Sequence, residues 1–312
     1  MKFKTYDEVD PKAVARLALS GFGWNLDAPT VKKLRKKDPN CTDWFAMYAV
    51  EGEEVVGQVG ASYPTIETIE GPMKLGYIWG VTTLPDKTKK GIARQLMERV
   101  HEQMRDDGAD LFALSTMKSL VAHALYVSLG YQHIQPYGWT QRPVRPQKRG
   151  KIQTKVRKRS NAETYDLYKK FSKGAYGFTH RNPGFVEPRS LWFPYVSEIC
   201  TFYRAGEPVG YALVASGKTA ITLRELFCPD LNDVPECADA LERKFPRKYI
   251  NCLLHSREDL IKALGEADLA PTRPSFGVLM MRPPKGRVSQ KSLLRLTGKE
   301  DGRFQFTSTD EY

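Results

Sequence analysis

Residues 76–131 constrain this chain more than any other stretch, because strand-like and helix-like patterns follow one another there in a fixed order. Gly76-Tyr77-Ile78-Trp79-Gly80-Val81 is apolar enough to be covered on both faces, and it runs through Leu84-Pro85 into Asp86-Lys87-Thr88-Lys89-Lys90-Gly91. Beyond Gly91 the apolar residues Ile92, Leu96, Val100 and Met104 recur every fourth position, with Ala93 and Met97 beside them. That period predicts a helix of about four turns, stopped at Asp106-Asp107-Gly108. Leu111-Phe112-Ala113-Leu114 then reads as a second buried strand. Residues 119–129 read as a helix with Leu120, Val121, Ala124, Leu125 and Leu129 on its apolar side, closed by Gly130.

Gly91 and Ala93 keep large side chains away from the opening of the first helix. Consecutive backbone N–H groups can therefore approach an anion while the helix dipole adds positive potential. Lys87, Lys89 and Lys90 surround the same point. The arrangement suits a pyrophosphate; its plainer alternative is a helix cap with solvated lysines. Tyr126, on the second helix, likewise has two readings. It is a core aromatic with its hydroxyl at a rim, or a phenol placed to return a proton to a departing thiolate.

These segments resemble the GNAT superfamily of acetyltransferases. The family's first signature, Val-x-Pro followed by Arg/Gln-x-x-Gly-x-Gly/Ala, falls on Val81 through Ala93. Its second, Ala-x-x-Leu-Tyr-x-x-x-Gly-Phe/Tyr, falls on Ala122 through Tyr131, shifted slightly but with Tyr126 four residues ahead of Gly130. The resemblance implies direct transfer of an acetyl group from acetyl-coenzyme A to an amine, without a metal. It places Val81, Lys87, Thr88, Lys89, Lys90, Gly91, Ile92 and Ala93 at the cofactor and makes Tyr126 the general acid. Thr88 stands where the family has Arg or Gln, so one donor to phosphate is missing and the neighbouring lysines are left to supply the charge. That departure keeps open a second reading, a coenzyme A-binding or regulatory module with weak turnover.

Upstream, residues 11–20 and 29–37 read as helices joined by the loop Gly21-Phe22-Gly23-Trp24-Asn25, and residues 44–50 and 55–63 as a hairpin across Glu51-Gly52-Glu53. The resemblance implies that this loop lines the acceptor pocket, which makes Phe22 and Trp24 substrate-binding candidates beside Trp79. The alternative for such residues is to plug the core.

The second half echoes the first. A shift of 144 residues places Pro85-Asp86 on Pro229-Asp230 and Glu98-Arg99 on Glu242-Arg243. Residues 220–227 and 249–254 read as strands, 234–244 and 256–264 as helices, and 277–281 as a closing strand. Here Pro235 replaces Gly91, and Asp230, Asp233 and Glu236 crowd the turn. A lost amide and three carboxylates oppose phosphate, so this copy should not hold coenzyme A.

The expected architecture is α/β (α+β): two tandem GNAT-like units, each a mixed, mostly antiparallel twisted sheet flanked by helices. Residues 1–145 form the cofactor-binding unit, 146–284 the degenerate one and 285–312 a tail. This plan resembles the enhanced-intracellular-survival branch of the superfamily, without the segment for that branch's sterol-carrier-like third domain. In that branch the carboxylate of a final aromatic residue acts as base, which the resemblance places on Tyr312. Strand 76–83 has no Asp or Glu to do the same. The alternative is a frayed end.

The net charge of +12 is uneven, with no acid from Leu111 to Ala162 and a run of Arg and Lys over 142–159. That run lacks interleaved aromatics, zinc-ligand spacing and a recognition helix, so nucleic-acid binding is not the primary reading. A solvated strand or linker marked by Pro143 and Pro146 is the simpler one. Five cysteines without paired spacing, and no apolar run of spanning length, lead to the expectation of a reduced, cytoplasmic setting without a membrane partner. The acceptor, a small-molecule or peptide amine, and the oligomeric state are left open.

Overall fold

The computed structural model describes residues 1–145, 149–158, 161–192, 198–246, 248–253, 257–271, 277–307 and 309. In chain order the elements are β1 (Lys2–Thr5), α1 (Pro11–Phe22), α2 (Ala28–Lys37), β2 (Cys41–Glu51), β3 (Glu54–Ser62), β4 (Thr65–Thr68), β5 (Gly71–Thr83), α3 (Ile92–Asp106), β6 (Leu111–Met117), α4 (Val121–Ser128), β7 (Gln132–Tyr137) and β8 (Trp139–Arg142). They continue with β9 (Gln153–Arg157), α5 (Ala162–Ser172), α6 (Val186–Trp192), β10 (Glu198–Arg204), β11 (Glu207–Ser216), β12 (Ala220–Phe227), α7 (Val234–Lys244), β13 (Tyr249–Leu253), α8 (Glu258–Glu266), β14 (Ala270–Pro271), β15 (Gly277–Arg282) and α9 (Gln290–Leu296).

Two mixed sheets carry the fold. The first runs β1-β2-β3-β5-β6-β15-β7 with β4 paired to β5, and the second runs β14-β8-β13-β12-β11-β10-β9. Described neighbours are antiparallel except β5 with β6 and β12 with β13, each a parallel pair joined through a helix, α3 or α7. Each sheet has its own apolar core.

The two halves trade a strand. Residues 277–282, expected to close the second half, lie in the first sheet between β6 and β7, and residues 139–142, expected in the first, lie in the second between β13 and β14. A shift of 138 residues carries β7 onto β14 and β8 onto β15, so the exchange is reciprocal. Expected bounds at 145 and 284 therefore cut across both sheets. The physical reason is that β8 (Trp-Thr-Gln-Arg) and β15 are both short strands whose partners lie far away in the sequence. Local pattern fixes that they pair but not with which sheet.

Local packing shows why the first half forms as it does. Asp10 caps α1 by accepting from the Lys12 amide at 3.0 Å, Pro11 sits in its first turn, and left-handed Gly23 (φ 68°) ends it. The stripe Ile92, Leu96, Val100 and Met104 of α3 is buried on the sheet. Gly76 lies beneath Met104, where a Cβ would sit 2.5 Å from its sulfur.

The basic run over 142–159 is not simply a solvated strand. Arg142 is fully buried and bonds Glu242 at 2.8 Å and also Asp239, while Arg145 reaches Asp239 at 3.1 Å and also Asp268. Arg157 pairs with Glu163 at 3.0 Å. No described helix is long and apolar enough to cross a membrane.

Candidate active site

The site begins where two parallel strands part. Pairing of β5 with β6 runs from Leu75–Leu111 to Ile78–Leu114 and stops. One residue later β5 bulges: its register with β3 skips between Gln58 and Gly60, and Gly80 takes φ 62°, a left-handed conformation that suits glycine. Beyond the bulge Val81 diverges from Ser115, Thr116 and Met117, and a cavity of about 380 Å³ opens between them. That volume is in the range of small-ligand sites. Its walls are largely apolar or aromatic, including Phe22, Trp24, Trp79, Tyr126, Tyr137 and Trp139, and Arg224 and Leu253 reach it from the second sheet.

The chain leaves β5 at Thr83 and opens α3 at Ile92, and the residues of that turn are not among those that line the cavity. Gly91 has φ 75°, the helix has no side-chain cap, and its first closing bond runs from the Gln95 amide to the Gly91 carbonyl at 3.1 Å. The amides of Ile92, Ala93 and Arg94 are the helix's orphan donors. Lys89 is also left-handed, at φ 62°. Alternation of hand along this turn is the backbone form of an anion nest. The residues present fit a phosphate-bearing ligand.

The three lysines do not share one role. Lys87 is held by Glu51 at 2.9 Å, with Glu54 3.8 Å away, and its charge is spent on that hairpin. Among the described residues neither Lys89 nor Lys90 forms a close ion pair, although the Glu51 carboxyl, held below its ordinary value first by Lys87, is also lowered by Lys90 nearby. The Thr88 hydroxyl donates to the Pro85 carbonyl at 3.0 Å, which fixes the turn.

Tyr126 lines the cavity from α4 and is only 6 % exposed. Burial pushes its phenol above the ordinary tyrosine value, so it holds its proton across the neutral range. The Phe22 and Trp24 rings stack at 4.3 Å at the mouth, on either side of Gly23. Trp79 borders the cavity, but its ring belongs to the core: it packs edge-on to Phe45 at 5.0 Å and lies over Gly60, where a Cβ would clash at 2.3 Å. Tyr312 lies outside the described residues.

Several groups escaped the reading of the sequence. Tyr77 donates to the Ser115 hydroxyl at 2.8 Å, and Ser115 donates to Tyr137 at 3.1 Å, a chain of hydroxyls from β5 through β6 to β7 along the cavity. Tyr77 stacks on Phe306 at 5.6 Å. Phe306 is fully buried and clasped by Gln135, whose amide donates to its carbonyl and accepts from its N–H, each at 2.8 Å. Residues 304–307 are thus anchored between the sheets, with the Thr307 hydroxyl donating to Glu225 of β12 at 3.2 Å. The alternation of polar and aromatic residues over 304–307 was the one signal available.

Comparison with known proteins agrees with this geometry. A family model described as an acetyltransferase (GNAT) domain matches residues 2–134. No curated protein matches. Among solved structures, a conserved protein of Enterococcus faecalis V583 described as a probable N-acyltransferase is similar, with TM-score 0.68 and 13% identity, covering 91% of this chain and 72% of that one. A GCN5-related N-acetyltransferase of Anabaena variabilis has TM-score 0.68 and 11% identity over 91% and 73%. Eis1 of Mycobacterium abscessus has TM-score 0.57 and 13% identity over 91% and 74%. At these identities the likeness is one of fold.

Proposed function

We propose, from the premise that the chain belongs to the GNAT acetyltransferases through residues 2–134, that it moves an acetyl group from acetyl-coenzyme A directly to an amine. The observation that carries this reading is the parting of β5 from β6, with the chain running from the end of β5 into an uncapped helix mouth. An extended thioester laid in that gap would place its pyrophosphate on the Ile92, Ala93 and Arg94 amides, with Lys89 and Lys90 nearby. Its carbonyl would lie against the backbone freed at the Gly80–Val81 bulge, where an N–H can stabilise the oxyanion.

The transfer balances as follows. The amine nitrogen forms a bond to the acetyl carbon, the carbon–sulfur bond breaks, and the amine's proton leaves to solvent. Tyr126 gives its phenolic proton to the thiolate and recovers one from water. A phenol suits this task because it stays protonated at a pH where a thiol begins to ionise. The aromatic stack of Phe22 and Trp24 would receive the acceptor's body.

A thiol-release assay with acetyl-coenzyme A tests the reading, using phenethylamine, an alkylamine, spermidine, an amino-acid amide and a peptide N-terminus as acceptors. Tyr126→Phe should lower kcat by roughly 10²-fold or more while coenzyme A affinity holds. Calorimetry that finds no coenzyme A uptake at millimolar ligand overturns the proposal.

A further inference from the structure

Gln58 is the most conspicuous polar group that the reaction above does not use. It is fully buried, and neither its Oε1 nor its Nε2 has a hydrogen-bond partner among the described residues. A buried amide with all its bonding capacity unmet is costly, and a functional role is one of the few reasons for a fold to keep one.

Its position supplies the reason. On β3 the neighbouring Gly57 faces α3, since a Cβ there would lie 3.1 Å from Ile92 and Leu96, so Gln58 points to the opposite face of the sheet. That face carries the Trp79 ring, packed over Gly60. The Gln58 amide lies against the β5 bulge: a Cβ added to Gly80 would be 3.0 Å from Gln58 Nε2 and 3.4 Å from Trp24 Cζ3. Gly80 and Trp24 both border the reaction cavity. Glycine at this bulge therefore puts no side chain of its own against the amide, and the Trp24 ring, one residue past left-handed Gly23, lies at the same point. Directly across the ladder is Tyr48, also fully buried with its hydroxyl unpartnered among the described residues.

We propose that Gln58 is an acceptor-binding residue: a shift of the Trp24 ring lets the incoming amine donate an N–H to Gln58 Oε1 and thereby aims its lone pair at the thioester carbonyl. The proposal rests on the acetyl-transfer reading. An amide suits the task better than a carboxylate. It orients the nitrogen without adding a negative charge that would stabilise the ammonium form, so the nucleophilic free amine remains accessible near neutrality.

Two variants test it, with the amine that gives the highest kcat/KM in the five-acceptor screen. Gln58→Met keeps the shape and removes the bonding groups. It should lower kcat/KM for the amine about tenfold, the value of one hydrogen bond, with coenzyme A affinity unchanged and thermal stability equal or higher. Gln58→Glu should raise the pH at which the rate climbs by about one unit, because the new carboxylate favours the ammonium form. A Met variant whose amine kinetics match the parent, with only its melting temperature moved, overturns the proposal and leaves Gln58 a structural residue satisfied by water. If the Met variant does not fold, an unshifted pH profile in the Glu variant overturns it as well. A parent protein that binds coenzyme A but releases no thiol with any acceptor sinks acetyl transfer itself, and this inference with it. The first kind of failure leaves the acetyl-transfer reading standing.

Discussion

The two helix mouths of this molecule show how one frame is left open in one half and closes on itself in the other. Both halves have a parallel strand pair joined through a helix, and both have a bulge on the leading strand. In the second half the register of β11 and β12 slips past Arg224, which lies 144 residues after Gly80. At α3 the leading amides are left open. At α7 the corresponding place is filled by the protein's own side chains. Arg204 bonds Asp233 at 2.6 Å and Glu236 at 2.8 Å, and Glu236 also accepts from the amides of Lys151 and Ile152 at 2.7 and 3.1 Å. The fold supplies the socket in both halves; what differs is whether the sequence leaves it vacant. The second half instead lends Arg224 and Leu253 to the wall of the first half's cavity.

The largest expected effect concerns whether the halves are separable at all. The strand exchange means neither sheet is complete without the other half, so the two should unfold as one unit. Arg142, on exchanged β8, is the sensitive point, because Arg142→Met removes the fully buried guanidinium from Glu242 and Asp239 and leaves only partly exposed Arg145 beside them. Breaking a buried pair on one side costs about 3–5 kcal/mol. Denaturant titration should show the loss equally by global circular dichroism and by coenzyme A binding to the first half. A coenzyme A-binding transition that stays put while the dichroism splits in two would mean the halves are independent.

Next comes the conversion of one mouth into the other. Ala93→Glu puts into α3 the kind of charge that α7 carries at Glu236. It should weaken coenzyme A binding about 100-fold, roughly 2.7 kcal/mol, with little change in thermal stability. Calorimetry reads the effect, and unchanged affinity would place the diphosphate elsewhere.

Much of this contrast was legible beforehand. The fourfold apolar repeat located α3, Gly91 marked its mouth, and Pro235 with Asp230, Asp233 and Glu236 marked the closed one, because helix period and turn chemistry are local properties. Partner choice was not legible. Lys87 reads like Lys89 and Lys90 until the hairpin brings Glu51 to it, and the packing of the Trp79 ring over Gly60, beside its place in the cavity wall, shows only in the fold. The strand exchange and the Tyr77-Ser115-Tyr137 chain depend on pairings between distant segments, which no local window contains.

A smaller effect separates the halves by pH. His101 of α3 is buried against Phe112 and bonds Tyr131 at 2.8 Å; the residue 144 positions on is Phe245, which cannot titrate. Burial, helped by Arg282 and Arg105, pushes the His101 imidazole down to about 3. Unfolded, it would take a proton near 6.5, so the unfolded chain binds the proton first as pH falls. His101 thus leaves stability intact above pH 6.5 and erodes it between 6.5 and 3, at up to about 1.4 kcal/mol per unit. Melting temperatures from pH 7 to 4 should fall less steeply in His101→Leu; parallel curves would assign the acid sensitivity to other groups.

The smallest effect is expected where the second mouth is opened. Arg204 is partly exposed, so Arg204→Ala removes pairs worth at most about 1 kcal/mol after screening by solvent. Its consequence for binding is the more informative one. Without the guanidinium, Asp233 and Glu236 lose their cationic partner, Glu236 keeping its bonds from the Lys151 and Ile152 amides, and a diphosphate should be repelled more strongly than before. Adding Glu236→Gln lowers that repulsion, yet Pro235 still withholds the amide that Gly91 supplies in the first half. The double variant should therefore bind one coenzyme A per chain, the number expected of the parent, when counted by calorimetric stoichiometry. A second equivalent would show that charge alone keeps the α7 mouth closed, and that backbone donors matter less to the difference between the halves than the missing amide suggests.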